Sequence, residues 1–482
     1  MKKTLILITS ILIFNFAGYG GGMQTNSNQG AAYSRMLARD ASTDLDAVYF
    51  NPAGVTKLSD GWYLSLSNQF IFQTKYLYND YRYLNKDEYI AKVSAPLFPD
   101  IFLVYKKNKL ALSLGIFPCG GGGGASYGTG LPSFEMPVSE LVPLMNQSLS
   151  ILSIAGYKVN GYKATIKFDG SSVYLGVQAG LAYELSKFIS VAVGGRLVYA
   201  SNVTKGSVKN ILINTNKGWS TPGDYLRGIA STPLLGLIID QVAGLNKNAD
   251  DLDVLTSDKE VEVTQTGMGF TPYFGLCITP TDKLTIGFKY EQRTKITLTN
   301  NTVKDDLDMY PNGEKTVSEM PSWISLGIGY KITKKLSAQI GIHYYFDKNA
   351  NYDRSYEGEP VTNRVVIDKN FKEIALGLEY QFTPKILGSF GYLRAITGAN
   401  EKFHTDLSYS SSSNTIAFGG RYTFSKRVDF NLGFLYSWSD FLEREYYHSY
   451  EDGGTPELVK ESYKSGLFLI GLGLDIKLNK IK

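Results

Sequence analysis

Hydrophobic positions alternate with small or polar ones along much of this chain. Over residues 173–185 the large apolar side chains, such as Val173 and Leu181, fall on one face, and Gly176 and Gln178 fall on the other. Alternation with a period of two is typical of a β-strand whose two faces meet different surroundings. We therefore predict a strand here, and the same pattern recurs at intervals along the sequence.

A short pattern repeated four times marks the ends of several such runs. In each copy a tyrosine leads through an apolar residue and a Ser or Thr into a basic turn, at Tyr183, Tyr330, Tyr380 and Tyr422. Because each copy joins two alternating runs, the pattern predicts tight β-hairpins. An aromatic residue at a fixed distance from a polar turn is typical of the interfacial girdle of a transmembrane barrel. We expect these tyrosines to point to lipid.

The alternating segments are joined by short and long connections in turn. The predicted strands are 61–75, 99–106, 109–118, 170–185, 188–206, 258–279, 283–299, 320–332, 336–348, 370–382, 386–395, 412–424, 428–442 and 464–478. An even strand count with short turns at one rim and long loops at the other is typical of outer-membrane barrels. The sequence therefore predicts an all-β fold, a 14-stranded antiparallel transmembrane β-barrel whose short turns and termini lie in the periplasm.

The N-terminus has the order of a secretory signal. Lys2 and Lys3 precede an apolar run from Leu5 to Phe16, and small residues follow. We expect residues 1–20 to be a cleaved signal peptide. No further stretch has the length of a spanning helix, and the mean hydropathy of −0.12 is low for a helical membrane protein. A membrane protein without spanning helices must be a closed barrel, because only closure pairs every backbone group.

Residues 21–60 do not alternate and precede the first predicted strand. A barrel of this size is wide enough to be either water-filled or plugged. We expect this segment to form an N-terminal hatch in the lumen, with residues 61–482 as the barrel. Within the hatch, Asn51-Pro52-Ala53-Gly54 predicts a turn, since proline fixes φ and glycine allows the chain to return.

Two of the long loops, at residues 133–154 and 225–245, carry helical patterning and predict short amphipathic helices. Their apolar positions include Leu141, Leu144, Leu234 and Ile238. The apolar faces either pack on each other or on the barrel mouth, or they form an outward-facing groove that captures a hydrophobic ligand.

The third predicted strand ends in a proline and a run of glycines. Proline cannot donate to a ladder, and glycines bend strands. The segment is either a flexible external loop or an inward kink that leaves a lateral opening in the wall. Pro118, Gly120, Gly121 and Gly122 are the candidate residues for the opening. The glycine run does not match a phosphate-binding loop, because no Gly-Lys-Ser/Thr follows it.

Several motifs, taken in order, give the chain a resemblance to a known family. They are Gly22-Met23-Gln24, Gly30 to Ser34, Asp44 to Ala53, Gly269-Phe270 with the hairpin to Arg293, and Met320-Pro321-Ser322-Trp323 leading into Leu326 to Tyr330. With these motifs the chain resembles the FadL/TodX family of outer-membrane transporters for long-chain fatty acids and other hydrophobic compounds. The resemblance implies a plugged barrel, ligand capture at the external loops and lateral release through the wall.

Charged positions that alternation places in the lumen offer candidate ligand contacts. A ligand carboxylate would be met by basic side chains away from the periplasmic rim. Arg196 and Lys289 are the candidates, together with Met23 and Phe50 from the hatch. The alternative is that the mixed luminal charges form a network that holds the hatch.

The residue types required for catalysis or metal binding do not occur together. The chain has three histidines and two cysteines, without the spacing of a catalytic triad or a metal site. We therefore expect no enzyme activity and no cofactor. The net charge of +4 gives no reason to expect nucleic acid as a partner. The predicted function is passive uptake of hydrophobic small molecules by a monomer in the Gram-negative outer membrane, with the bilayer and the ligand as partners. A general porin, or a surface-exposed adhesin or structural barrel, is the alternative.

Overall fold

The computed structural model describes residues 25–149, 153, 156–232, 239–356, 358–449 and 455–479. The expected signal peptide, Met23, Leu234 and Ile238 lie outside these residues. In the described ranges, no helix combines the length and apolar character needed to cross a membrane.

Fourteen antiparallel strands close into a barrel, as the alternation predicts. The barrel strands are β1 (Gly61–Asn79), β2 (Pro99–Lys107), β3 (Leu110–Tyr127), β4 (Val159–Ser186), β5 (Ile189–Thr215), β6 (Lys259–Thr281), β7 (Leu284–Glu291), β8 (Trp323–Lys331), β9 (Leu336–Tyr345), β10 (Lys372–Thr383), β11 (Ile386–Ile396), β12 (Ser413–Ser425), β13 (Val428–Ser439) and β14 (Glu457–Asn479). Each strand pairs with the next in sequence. The pairing of β14 with β1 closes the ring.

Short strands extend the wall or form hairpins in the external loops. They are Glu88–Ala95, Gly218–Ser220, Thr297–Asp305, Lys315–Val317, Arg354–Tyr356, Glu359–Val361 and Leu442–His448. The predicted strand over 283–299 is wrong in one respect, because β7 ends at Glu291 and pairing with β6 resumes only at Thr299. Pro272 of β6 lies at this interruption and has no N–H to donate to the ladder.

The outer face of the barrel is apolar and the inner face is not. On β4, exposed Val177 and Leu181 alternate with buried Gln178 and Ala182. Tyr183, Tyr330, Tyr380 and Tyr422 are all exposed, as predicted. This belt of exposed apolar side chains with aromatic residues near one rim is the surface that a bilayer covers.

Residues 25–60, which belong to the predicted hatch, fill the lumen and are called the plug here. They fold into α1 (Gly30–Arg35), α2 (Ala47–Phe50) and a 3-10 helix, Pro52–Lys57. Tyr33, Tyr49 and other apolar side chains of the plug share one buried cluster with the inner wall.

Glycines on the inner wall let the plug backbone lie directly against the strands. An added Cβ at Gly287, Gly327 or Gly341 would overlap Asp40 or Ala41 of the plug. These three residues lie side by side on β7, β8 and β9, because Gly327 pairs with both of the others. We call them the glycine row. A side chain at Gly287 or Gly327 would meet the plug backbone and push the plug away from the wall, and one at Gly341 would displace the Asp40 carboxylate.

Helices occur in the external loops, as the patterning predicts. They are α3 (Pro132–Ser139), α4 (Leu141–Ser148), α5 (Pro222–Ala230), α6 (Ile239–Leu255) and α7 (Asn363–Val366), with 3-10 helices at Asp347–Asn349 and Glu401–Phe403. Each of the two predicted amphipathic segments is divided between two helices, α3 with α4 and α5 with α6.

Candidate transport site

The glycine-rich end of β3 is kinked. Its pairing with β4 shifts register between Pro118 and Gly120, and again between Gly120 and Gly123. Extra residues in one strand of a pair form bulges that bend the strand. Gly121 has a φ of +88°, and an added Cβ there would overlap the Ser172 carbonyl, so this position requires glycine.

At the kink, β3 also loses its partner on the opposite side. It pairs with β2 from Leu110 to Ile116, and with the strand Glu88–Ala95 only at Ala125 and Ser126. Residues 117–124 are therefore unpaired on this edge within the described barrel wall. The facing residues 96–98 are outside strands, and Leu97 among them is 74% exposed. We call this interrupted ladder the wall gap, with residues 117–124 on one side and 96–98 on the other.

The plug provides hydrogen-bond partners for the kinked backbone. The Asn26 N–H donates to the Cys119 carbonyl at 2.9 Å, and Asn26 Nδ2 donates to the Gly121 carbonyl at 3.0 Å. Gln29 Nε2 donates to the Pro118 carbonyl at 2.9 Å. Buried carbonyls need such partners, which a neighbouring strand would supply in a regular sheet. The kink and the plug therefore stabilise each other.

The predicted ligand contacts Arg196 and Lys289 lie together in the lumen, and both pair with Glu291. Arg196 Nη1 is 3.2 Å from Glu291 Oε1, and Lys289 Nζ is 2.7 Å from the same oxygen. None of these three side chains is more than 1% exposed. Lys289 Nζ also donates to the Tyr49 carbonyl of the plug at 2.5 Å. Both cations thus share one carboxylate partner within the protein, and one of them holds the plug directly.

Two further polar contacts join the plug to other strands of the wall. His343 on β9 lies between two carboxylates, with Nε2 2.7 Å from Asp40 of the plug and Nδ1 2.8 Å from Glu373 of β10. Arg35 at the end of α1 pairs with Glu379, and its Nε donates to Asn431 at 3.1 Å. Charged groups at such depth are stable only when paired, so these contacts fix the plug in one position.

Aromatic rings cover the apolar part of the lumen. Tyr49 meets Phe50 edge-on at 4.9 Å and Phe117 at 5.2 Å, measured between ring centroids. Phe50 stacks on Tyr33 at 5.6 Å and is buried among plug residues. Because Phe117 begins the kinked segment, this aromatic surface reaches the wall gap.

The hatch motif turns the chain where α2 ends, with Asn51 preceding the 3-10 helix and Pro52, Ala53 and Gly54 forming its first turn. The Gly54 N–H donates to the Asn51 carbonyl at 2.7 Å, and Asn51 Nδ2 donates to the Ser42 carbonyl at 2.9 Å. Pro52 and Ala53 lie against Gly275 of β6. The motif therefore lies on the wall of the barrel and closes its own turn.

The helices of the outer loops pack on each other and on the long ends of β4 and β5. Leu141 is buried against Tyr162 and Ile211, and Leu144 is half-buried. Met145 of α4 and Leu226 of α5 belong to a second shared cluster. Of the two alternatives for these helices, packing on each other and on the barrel mouth therefore applies at Leu141, where the apolar face is covered.

Sequence reasoning missed the plug residues that make most of these contacts, namely Asn26, Gln29 and Asp40. One signal was present, because Arg35, Arg39 and Asp40 concentrate charge in a segment predicted to lie in the lumen. Charges in such a place require partners on the wall.

A closed ring of fourteen strands, an N-terminal plug and a gap beside a kinked third strand define a plugged transmembrane barrel. Solved structures share this fold. A Pseudomonas aeruginosa FadL homologue is 13% identical over 95% of this chain and 100% of that chain, with a TM-score of 0.60. The Pseudomonas putida toluene transporter TodX is 14% identical over 97% and 100%, with a TM-score of 0.57. The Ralstonia pickettii toluene transporter TbuX is 16% identical over 97% and 100%, with a TM-score of 0.51.

Comparison with family models gives no match, and neither does comparison with curated protein sequences. The similar solved structures confirm the resemblance inferred from the sequence motifs at the level of the fold, which is that of the FadL and TodX structures.

Proposed function

We propose that the protein is an outer-membrane channel for the passive uptake of hydrophobic small molecules. The wall gap is the observation that carries this proposal. It interrupts a continuous ladder beside the plug and next to the buried ring of Phe117. An apolar molecule in the lumen could leave sideways into lipid there without crossing the polar periplasmic rim. The similar structures, described as a FadL homologue and toluene transporters, support the same class of function.

The route we infer begins at the outer loops, passes the plug and ends at the wall gap. Long-chain fatty acids and aromatic hydrocarbons are the two candidate ligand classes. Lys289 holds the plug in the closed arrangement through the Tyr49 carbonyl, and Arg196 pairs with Glu291 on the wall beside it. A ligand carboxylate would reach these cations only after the plug has moved. The filled lumen argues against a general porin, whose pore must admit water and sugars.

Replacing Gly120 and Gly122 together by valine tests the lateral exit. Branched side chains would resist the bulged backbone and block the gap, so we expect uptake of labelled oleate or toluene to fall at least about tenfold. Uptake would be measured in a host that lacks its own hydrophobic-compound channel. Gly128→Val is the matched control, because an added Cβ there meets nothing within 4 Å.

Barrel folding would be checked by the heat-dependent shift in electrophoretic mobility. Unchanged uptake by a folded double variant would refute exit through the wall gap. Rapid entry of sugars into liposomes that contain the wild-type protein would refute the plugged channel itself.

A further inference from the structure

The external loop between β9 and β10 lines an open cavity of about 500 Å³. The loop contains the 3-10 helix Asp347–Asn349, the hairpin of Arg354–Tyr356 with Glu359–Val361, and α7. By strand order, this loop lies halfway round the barrel from the wall gap. The cavity is therefore separate from the proposed exit at the wall gap, and its described lining contains no residue of the plug.

Arg354 lines this cavity as a buried cation. Its residue is 8% exposed, its guanidinium lies 3.8 Å from the centroid of the Phe403 ring, and Nη2 donates to Ser408 Oγ at 2.7 Å. Its Nε has no hydrogen-bond partner, and no carboxylate of the described residues forms an ion pair with it. Burial lowers the pKa of Arg354 to about 10, which leaves the side chain protonated at neutral pH. A buried cation without a counter-ion is unfavourable unless an anion binds beside it.

Two more cations line the same cavity. Lys348 Nζ donates to the Asp368 carbonyl at 2.9 Å, and Arg364 Nη2 donates to Asn349 Oδ1 at 2.7 Å. Neither forms an ion pair with a described carboxylate, and each donor group retains N–H bonds for a ligand. Asp353 is the single acidic residue in the described lining, so three cations face one carboxylate.

The remaining polar lining suits hydroxyl groups. Asn349, Asn351 and Thr362 bring amide and hydroxyl groups to the cavity. Its volume lies within the range of small-molecule sites and exceeds what one inorganic ion would fill. A guanidinium pairs with phosphate through two parallel hydrogen bonds, which a lysine cannot reproduce.

We propose that this cavity is a binding site for a phosphorylated sugar on the outer face of the barrel, with Arg354, Lys348 and Arg364 contacting the phosphate. Two sources present this chemistry at the cell surface: the headgroup of a phosphorylated glycolipid in the outer leaflet and a free sugar phosphate.

Calorimetric titration of the delipidated full-length protein in detergent tests the site. Glucose 1-phosphate is expected to bind and glucose is not. Lys348→Gln and Arg364→Gln should each weaken binding roughly tenfold, which corresponds to the loss of one charge-assisted hydrogen bond. Lys369→Gln is the matched control, because Lys369 is exposed in the same loop but does not line the cavity. Arg354→Lys keeps the charge but removes the two parallel N–H donors of the guanidinium, so it should weaken binding while the loop stays folded.

Native mass spectrometry distinguishes the two sources. A phosphorylated glycolipid that stays bound and is displaced by glucose 1-phosphate would assign the site to the lipid headgroup. Binding of the free sugar phosphate without retained glycolipid would assign it to a soluble ligand. The proposal is overturned if the wild-type protein binds no phosphate probe at millimolar concentration, if glucose binds as well as its phosphate, or if the cavity and control variants have equal affinities.

Discussion

The substitution Glu291→Gln would show whether the buried charges hold the plug in place. Glu291 pairs with both Arg196 and Lys289, and all three side chains are at most 1% exposed. Removing one partner of a buried pair costs about 3–5 kcal/mol, because the other charge is left without compensation. Here one substitution leaves two cations uncompensated, so we expect a cost at the upper end of that range.

This cost can be relieved if the plug moves. Lys289 donates to the Tyr49 carbonyl of the plug, so displacement of the plug would admit water to the cations. A change of about 3–5 kcal/mol corresponds to a roughly 150- to 5,000-fold increase in the population with the plug displaced. The effect should therefore be large enough to measure as a rate.

The chain carries its own reporter for plug position. Cys119 and Cys277 are its only cysteines, and both thiols are buried and unpaired. The Cys119 carbonyl accepts a hydrogen bond from the plug, so plug displacement should expose that residue. In a Cys277→Ala background, the rate of maleimide labelling at Cys119 should rise by at least about a hundredfold in the Glu291→Gln variant.

The matched control is Glu262→Gln, which removes the same charge from an exposed pair. Lys205 and Glu262 are 54% and 42% exposed, and a surface pair of this kind contributes about 0–1 kcal/mol. Labelling should then change less than about fivefold. If the Glu291→Gln barrel is folded and Cys119 labels no faster than in the control, the charge cluster does not hold the plug.

Three further outcomes are expected. Gly327→Val should displace the plug by steric overlap, at a cost of about 1–3 kcal/mol, and should therefore speed the labelling of Cys119. Gly128→Val is the control and should leave the labelling rate unchanged. Equal labelling rates in the two variants would contradict the role of the glycine row. Burial and two nearby arginines lower the pKa of His404 to about 3, so between pH 6.5 and about 3 this side chain takes up a proton only when the loop unfolds. Its contribution to loop stability should be full above pH 6.5 and fall by up to about 1.4 kcal/mol per pH unit between pH 6.5 and about 3. Burial raises the pKa of Asp406 in the same loop to about 6, which acts in the opposite sense, so the His404 effect is read as the difference in hydrogen exchange over residues 397–412 between the wild type and His404→Gln. Tyr183→Ala should leave uptake unchanged because this exposed side chain faces lipid, and lost uptake by an inserted barrel would count against that assignment.

The strands could be predicted because lipid imposes the same requirement on each of them. On β4 the apolar positions from Val173 to Leu185 must all face outward, so the period of two is visible without knowledge of the neighbours. Outside the membrane this constraint disappears. The outer part of β5, up to Thr215, and the resumption of strand structure at Thr297 therefore carried no comparable signal.

The site was only partly predictable, since its contacts join residues far apart in sequence. Pro118 and the glycines that follow it mark an interruption by composition alone, but the segment opposite them depends on strand register. Alternation placed Arg196 in the lumen, yet its pairing with Glu291 requires β5 and β7 to approach across β6, over a separation of 95 residues. The donors Asn26 and Gln29 lie in a segment without periodicity, so no pattern indicated their partners.

The position of α1 has a consequence for the order of assembly. This first helix of the plug contacts β1 together with β13 and β14, the last two strands of the chain. Gly433 and Gly471 on those strands leave room for Ser34, and any side chain there would exclude it. The surface that receives α1 exists only after β14 has paired with β1. The plug precedes every barrel strand in sequence, yet its first helix can dock only after the ring has closed, so its docking marks a completed barrel.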